Sequence, residues 1–255
     1  MASSHFVNLT SSIQELKKVY LDDALAAPIA NDMHSELARA FVTFAHAEFE
    51  YYVEEALREL TYATFNGAIA GSYGNASIAL LGFSGMNSLK AGDQLGTGGK
   101  KAARKLSTRF GEAKVGILKT IDGNMGVREK HISAMAIPLG LDATAVDNTW
   151  LNDLDAFCSF RGAYVHMSRT TQRADPGGVN PQEMWLKCQR LVWTNQALGG
   201  AGAIKSFESF DAWVEAEKLG LAAIVHAPRW KLRIMTYLLR LLSRSRQDAN
   251  GDDDD

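Results

Sequence analysis

The sequence predicts an all-α bundle, and three observations carry the prediction. Apolar residues recur at intervals of three and four through most of the chain, no stretch sustains strand-like alternation, and there are only five prolines in 255 residues. Apolar residues make up 46% and charged residues 22%, ordinary values for a globular protein with a sizeable core. Cys158 and Cys188 both fall in apolar helical patterns, so they read as buried small hydrophobes in a reducing compartment and not as a disulfide framework. With no His-rich neighbourhood they form no zinc site, and no metal or cofactor is expected. Met1 to Thr10 lacks the basic start and apolar core of a signal peptide, and no apolar run reaches the roughly 18 residues of a membrane span. The expected location is cytoplasmic.

The elements follow in order. Ile13, Leu16, Val19 and Tyr20 predict a short amphipathic helix capped by Thr10, Ser11 or Ser12, with Pro28 at or beyond its end. Residues 35–64 form the first long helix, with Leu37, Phe41, Phe44, Ala45, Phe49, Tyr52, Val53, Ala56, Leu57 and Leu60 as its inward stripe. Its other face carries Glu48, Glu50, Glu54, Glu55, Arg58 and Glu59; His46 and Glu50 are four apart and can meet, but without further ligands they make no metal pair. Nine glycines between Gly67 and Gly99 mark residues 65–99 as a loop-rich insertion with one short helix around Ile78 to Phe83. Gly99-Lys100-Lys101 fails as a phosphate loop, because Gln94 stands where glycine is needed and Lys101 where Ser or Thr is needed.

Residues 100–122 predict a basic helix with Ala103, Leu106, Phe110, Val115, Leu118 and Ile121 on its apolar face, closed by Asp122-Gly123-Asn124. A short helix follows over Val127 to Met135, ending before Pro138, and Asp142 or Thr144 caps the next turn. Trp150, Leu151, Leu154, Phe157, Cys158, Tyr164 and Val165 predict a helix from Trp150 to about Arg169. After a Pro- and Gly-marked loop, Asn180 caps and Pro181 begins another helix, in which Met184, Trp185, Cys188, Leu191, Val192 and Leu198 pack inward. Phe207, Phe210, Trp213, Val214 and Leu219 are expected to cover an edge of the core. Pro228 to Arg246 predicts an amphipathic basic helix that docks on the domain or a second subunit, or lies on a membrane surface. Asp248 to Asp255 reads as a disordered, solubilising acidic tail.

The net charge of −2 conceals its distribution. Between Lys100 and Lys130 stand Lys100, Lys101, Arg104, Lys105, Arg109, Lys114, Lys119, Arg128 and Lys130 against only Glu112, Asp122 and Glu129, and Arg229 to Arg246 adds six basic residues with no acid. Two such stretches suit a polyanion partner such as RNA, with Lys100, Lys101, Arg104 and Lys105 the candidate contacts; solvated helix faces account for them equally well.

The stretch richest in chemistry is Phe160-Arg161-Gly162-Ala163-Tyr164-Val165-His166. Arginine is a permanent cation suited to phosphate, and histidine exchanges a proton near neutral pH. Five residues apart on a helix, they lie about 140° apart around the axis, so one isolated helix serves a single substrate atom poorly and a crossed pair in a two-fold dimer serves it better. The alternative is a surface arginine and a satisfied histidine in an ordinary amphipathic helix.

This sequence resembles the HEPN superfamily, whose signature is Arg-x4-6-His near the start of the last core helix, and within it the RiboL-PSP-type branch. The resemblance runs over roughly residues 35–200. It is carried by Phe44 to Glu54, by Ile137-Pro138-Leu139-Gly140-Leu141, by Leu154 to Phe160 followed by Arg161 to His166, and by the helix Glu183 to Leu198. It implies a HEPN-like domain over residues 35–200, with an N-terminal helical extension (1–34), a C-terminal helical extension (201–247) and the acidic tail (248–255). It further implies a metal-independent endoribonuclease with Arg161 and His166 as catalytic residues shared across a homodimer. Tyr164 and Arg169 are candidate helpers, although core packing also explains Tyr164. In some relatives a first-helix acid supports the site, and Glu48 or Glu50 is the candidate for that part here. The biological role implied is that of a toxin or anti-phage (abortive infection) effector, with an antitoxin or regulatory partner protein. One position departs from the pattern: the residue after the arginine is usually polar, often Asn, and here it is Gly162. The alternative is therefore a catalytically inactive HEPN-like dimer that binds RNA, a nucleotide or a protein.

Overall fold

A computed structural model describes residues 2–27, 29, 31–83, 99–166, 179–194 and 203–225, with side chains described outside 99–105, 162–166 and 221–225. Nine α-helices lie among these residues: α1 (Ser4–Tyr20), α2 (Asp22–Ala26), α3 (Asp32–Ile69), α4 (Asn75–Phe83), α5 (Gly99–Asp122), α6 (Glu129–Ala136), α7 (Asn148–His166), α8 (Pro181–Val192) and α9 (Phe207–Val225). No strand occurs among them, so the fold is all-α; one isolated parallel bridge joins Val146 to Ile204. No helix among the described residues is long and apolar enough to cross a membrane.

Helix α3 is the axis. From Asp32 to Asn66 the chain contains neither glycine nor proline, so nothing local interrupts it. It starts in a capping box: Asn31 Oδ1 accepts from the His34 amide at 3.0 Å, and His34 Nδ1 accepts from the Asn31 amide at 3.3 Å. It ends where Gly71 takes φ +85°, a conformation that favours glycine. Around α3 pack α1, α5, α7, α8 and α9, with α4 and α6 at its C-terminal half and flank. Phe41, Phe49, Tyr52, Val53, Leu57 and Leu60 are all fully or almost fully buried along it.

Several expectations change in the folded chain. The first helix begins at Ser4 with Ser3 as its cap, earlier than Thr10 to Ser12, because Phe6, Leu9 and Ile13 extend the apolar stripe toward the N-terminus and bury it against α3. Ser3 is itself held from across the chain: its amide donates to Asp211 at 2.9 Å, and its hydroxyl also bonds that carboxylate. Phe44 is 48% exposed and stacks on Tyr20 at 5.5 Å instead of entering the core. On α5 the inward stripe is Phe110, Ala113, Ile117 and Ile121, spaced three and four apart, which leaves Val115 turned outward. Helix α8 stops at Val192, where Trp193 turns extended, short of Leu198. Leu219 faces solvent, whereas Phe207 occupies the middle of the core and not its edge, 4.7 Å from Phe49 and 5.5 Å from Trp150 between ring centres.

Other expectations are met. Asn180 Oδ1 accepts from the amides of Gln182 and Glu183 to start α8, and Asp142 caps the turn before α7. Cys158 and Cys188 are free and buried. The Ile137 to Leu141 segment has a structural reason: Gly140 takes φ +93°, and a Cβ there would come within 3.3 Å of the α4 backbone at Ala76. Leu139 and Leu141 on either side are buried. Pro28, residues 84–98 of the glycine-rich segment, Leu198, the basic stretch Pro228 to Arg246 and the acidic tail lie outside the described residues.

Candidate functional site

Arg161 lies half-buried in the C-terminal half of α7, where that helix meets α3 and the start of α6. Each of the three segments brings polar side chains to the seam. Helix α3 contributes His46, Glu50 and Glu54, spaced four apart and hence on one face. Helix α7 contributes Asp155, Cys158 and Arg161. The turn into α6 contributes Arg128 and His131. The seam is tied by hydrogen bonds. Arg128 Nη2 donates to Ser159 Oγ at 3.4 Å, the Glu129 amide donates to Asp155 Oδ1 at 3.0 Å, and Asn124 Nδ2 donates to Glu54 Oε1 at 2.9 Å.

His46 is the unusual group. Its side chain is only 4% exposed, its Nδ1 has no hydrogen-bond partner among the described residues, and the nearest carboxylate oxygen, Glu50 Oε2, stands 3.8 Å away. That distance is too long for a hydrogen bond. Burial, reinforced by the nearby positive charges of Arg161 and Arg128 and by His131, pulls the imidazole down to about 4. His46 is thus neutral at neutral pH. The Glu50 carboxyl is raised by burial and by Glu54, with Arg161 acting in the opposite sense. The Cys158 thiol is pushed up to about 12, chiefly by burial, so it is no thiolate and no nucleophile despite the two arginines near it. His131 packs against Gly126, where a Cβ would stand 2.8 Å from its Nδ1; burial and the charges of Lys130 and Arg128 lower it.

Arg161 and Arg128 both contribute positive charge felt by His46 and by Cys158, and Arg128 meets α7 at Ser159. Among the described residues neither forms an ion pair with a carboxylate. Such a site suits an anion bound next to a neutral donor or acceptor.

Of the residues singled out from the sequence, Arg161 and Glu50 lie at the seam. His166 is the last residue of α7, so the helix runs unbroken through Gly162 and keeps the two signature residues five helical steps apart. The side chains of His166 and Tyr164 are outside those described, and Arg169 is outside the described residues altogether. Glu48 is half-buried but, two residues from His46, lies about 200° around α3 and away from the seam. Lys100, Lys101, Arg104 and Lys105 occupy the first turns of α5, with side chains beyond those described. Sequence reasoning missed His46 as a member of the site, although a histidine set between Ala45 and Phe49 in an apolar stripe was the available signal. It missed Arg128 as well, since nothing local links that residue to Arg161.

Fold and seam together define an all-helical domain with a polar seam of arginines, histidines and carboxylates where α3, α7 and the start of α6 meet. The RiboL-PSP-HEPN family matches the chain over residues 7–189, and the chain belongs to that family. The HEPN domain is generally a ribonuclease fold, and its members commonly bind RNA and dimerise, so membership suggests a nuclease or RNA-related role. The match begins inside α1, which packs along α3, and ends inside α8. No curated protein and no solved structure matches the chain.

Proposed function

We propose that this protein is a metal-independent endoribonuclease that acts in the cytoplasm as a homodimer. The observation that supports it best is the placement of Arg161: half-buried beside His46 and Glu50, on a helix that stays regular through His166. In the proposed reaction a ribose 2′-hydroxyl attacks the adjacent phosphorus. The new P–O2′ bond forms as the P–O5′ bond breaks, leaving a 2′,3′-cyclic phosphate and a 5′-hydroxyl. One His166 takes the proton of the attacking hydroxyl, and the His166 of the second subunit supplies one to the departing 5′-oxygen. Arg161 bonds the phosphate oxygens as negative charge builds on them. A dimer suits the spacing: positions five apart on an ideal helix lie about 140° apart over an axial rise of about 7.5 Å, and two crossed copies would bring both pairs to one scissile phosphate. A role as a toxin or anti-phage effector, checked by an antitoxin or regulatory partner, suits this chemistry.

The test is cleavage of total RNA in EDTA by the wild type and by His166→Ala, with analysis of the product ends. Cutting by the wild type alone, with cyclic-phosphate ends, is the expected result. A folded wild-type dimer that binds RNA and leaves it intact supports the second reading, an inactive binding module, which Gly162 directly after Arg161 favours.

A further inference from the structure

We propose that the face of α3 turned away from the core is a docking surface for a second copy of this chain, with the two α3 helices packed antiparallel about a two-fold axis. The proposal rests on packing and does not depend on the nuclease reading.

Helix α3 carries two apolar faces. One is the buried face that includes Phe41, Phe49 and Tyr52. The other consists of Met33, Leu37, Ala40, Phe44, Ala47 and Tyr51. These six positions alternate by four and three residues without a break, the heptad spacing of a helix that packs on another helix. On an ideal helix they fall within about 80° of one another, and Phe44 stands about 140° from Phe49. None of the six is buried, and Met33, Phe44 and Tyr51 are 65%, 48% and 63% exposed. The core therefore does not account for the repeat. An exposed apolar stripe about 27 Å long marks an interaction surface.

The order of large and small side chains selects the occupant. In an antiparallel pair with its axis at the level of Val42, residues equally far on either side of Val42 face one another. Leu37 then meets Ala47 of the second copy, Phe44 meets Ala40, and Tyr51 meets Met33, and the two-fold axis repeats each contact. Large side chains fall against small ones, so the layers interdigitate. A parallel pair would set Phe44 on Phe44 and alanine on alanine, crowded in one layer and empty in the next.

One flank is complementary in charge. The same register brings His34 beside Glu48 of the second copy. His34 Nδ1 accepts from the Asn31 amide at 3.3 Å, so the ring proton of the neutral imidazole is on Nε2, a donor suited to that carboxylate. On the other flank Glu36 meets Glu50 of the second copy, and Arg39 answers Glu36 at 2.9 Å. A seam of about 27 Å is short for a stable interface of roughly 1,200–2,000 Å². Its ends extend it. Ile29 and Met125, each 82% exposed, are the most exposed large apolar residues among those described. Ile29 precedes α3, whereas Met125 follows Asn124, whose side chain bonds Glu54 at 2.9 Å, one turn beyond Tyr51. Antiparallel pairing brings Ile29 of each copy to the end where Met125 of the other stands. The chain's own basic stretch, Pro228 to Arg246, is the weaker occupant. It follows α9, whose Lys218 bonds Glu59 at 2.9 Å and whose Glu217 bonds Asn75, both beyond the C-terminal end of the stripe.

The stripe is separate from the α7 seam, since His46 lies about 200° around α3 from Phe44. An α3 pair leaves the Arg161 sites of the two copies apart, and adds to any pairing through α7.

Sedimentation equilibrium of the full chain tests the proposal across about 1–100 µM, the range of a micromolar dissociation constant. Ala47→Glu and Leu37→Lys each place a charge on the stripe without entering the core, and circular dichroism checks that both variants keep their helices. Wild type is expected to reach twice the mass of either variant. An equal mixture of the two variants should regain the wild-type mass, because the new carboxylate of one chain faces the new amine of the other. Halving from four chains to two means that α7 pairs as well; halving from two to one supports the α3 interface and counts against the shared α7 site. Equal masses for wild type and both variants overturn the proposal. A mixture that stays at half mass refutes the antiparallel register.

Discussion

The buried imidazole of His46 makes stability depend on pH in a calculable way. In the unfolded chain the group titrates near 6.5; in the folded protein burial and the adjacent arginines hold it at about 4. The folded pKa is the lower one, so as pH falls through this window the unfolded chain takes up a proton that the folded chain refuses. The stability contributed by a neutral His46 is fully present above pH 6.5 and is lost progressively toward pH 4. Each unit of displacement corresponds to about 1.4 kcal/mol, and the binding polynomial gives a loss of about 2.5 kcal/mol between pH 7.5 and pH 4.5. The other groups facing His46 modify this in known directions. His131, also lowered, acts with the same sign. Glu50, raised in the folded state, acts with the opposite sign because folding favours its protonation. Comparison with His46→Leu isolates the imidazole, since leucine fills similar space and leaves no unpartnered nitrogen. Urea denaturation of both proteins at several pH values is the assay. Wild-type stability minus variant stability should fall by about 2.5 kcal/mol across that range. A flat difference would show that His46 titrates normally, and the reasoning from burial would fail.

Two further predictions concern the core. Phe207→Ala removes a fully buried ring wedged among Phe49, Tyr52 and Trp150, and should cost about 3–5 kcal/mol in chemical denaturation, more than an edge position would. Asp211 is buried and accepts from the Ser3 amide and hydroxyl and from the Tyr52 hydroxyl at 3.2 Å. Asp211→Ala strands the Ser3 donors, leaves the Tyr52 hydroxyl only the Phe207 carbonyl at 3.3 Å, and should cost about 2–3 kcal/mol, with hydrogen exchange rising first in the opening turn of α1.

The sequence by itself determined what is local. Spacing of three and four residues defined helices and their apolar faces, so the all-α class, the long α3 and most of the inward faces of α7 and α8 were legible. Caps and breaks were legible too, because Asn180-Pro181 and Asp142 act within a few residues of themselves. The Arg-x4-His spacing carried the family, since one regular helix through Arg161 and His166 fixes their separation. Tertiary structure decided everything that depends on which surface covers which. Periodicity says that α1 has an apolar stripe, yet its true start depends on Asp211, which is 208 residues from Ser3 along the chain. Phe207 carries the same sequence signal at the edge of a core as at its centre, and Phe44 and Val115 fit the apolar lists but stay about half exposed, Phe44 stacked on Tyr20 of α1. The site shows the same division most clearly. Arg161 could be read from its own helix, whereas the neutral state of His46 and the approach of Arg128 arise through space, from burial and from charges on two other elements. Electrostatic free energy depends on distance and solvation rather than on position in the chain, and packing around α3 sets both.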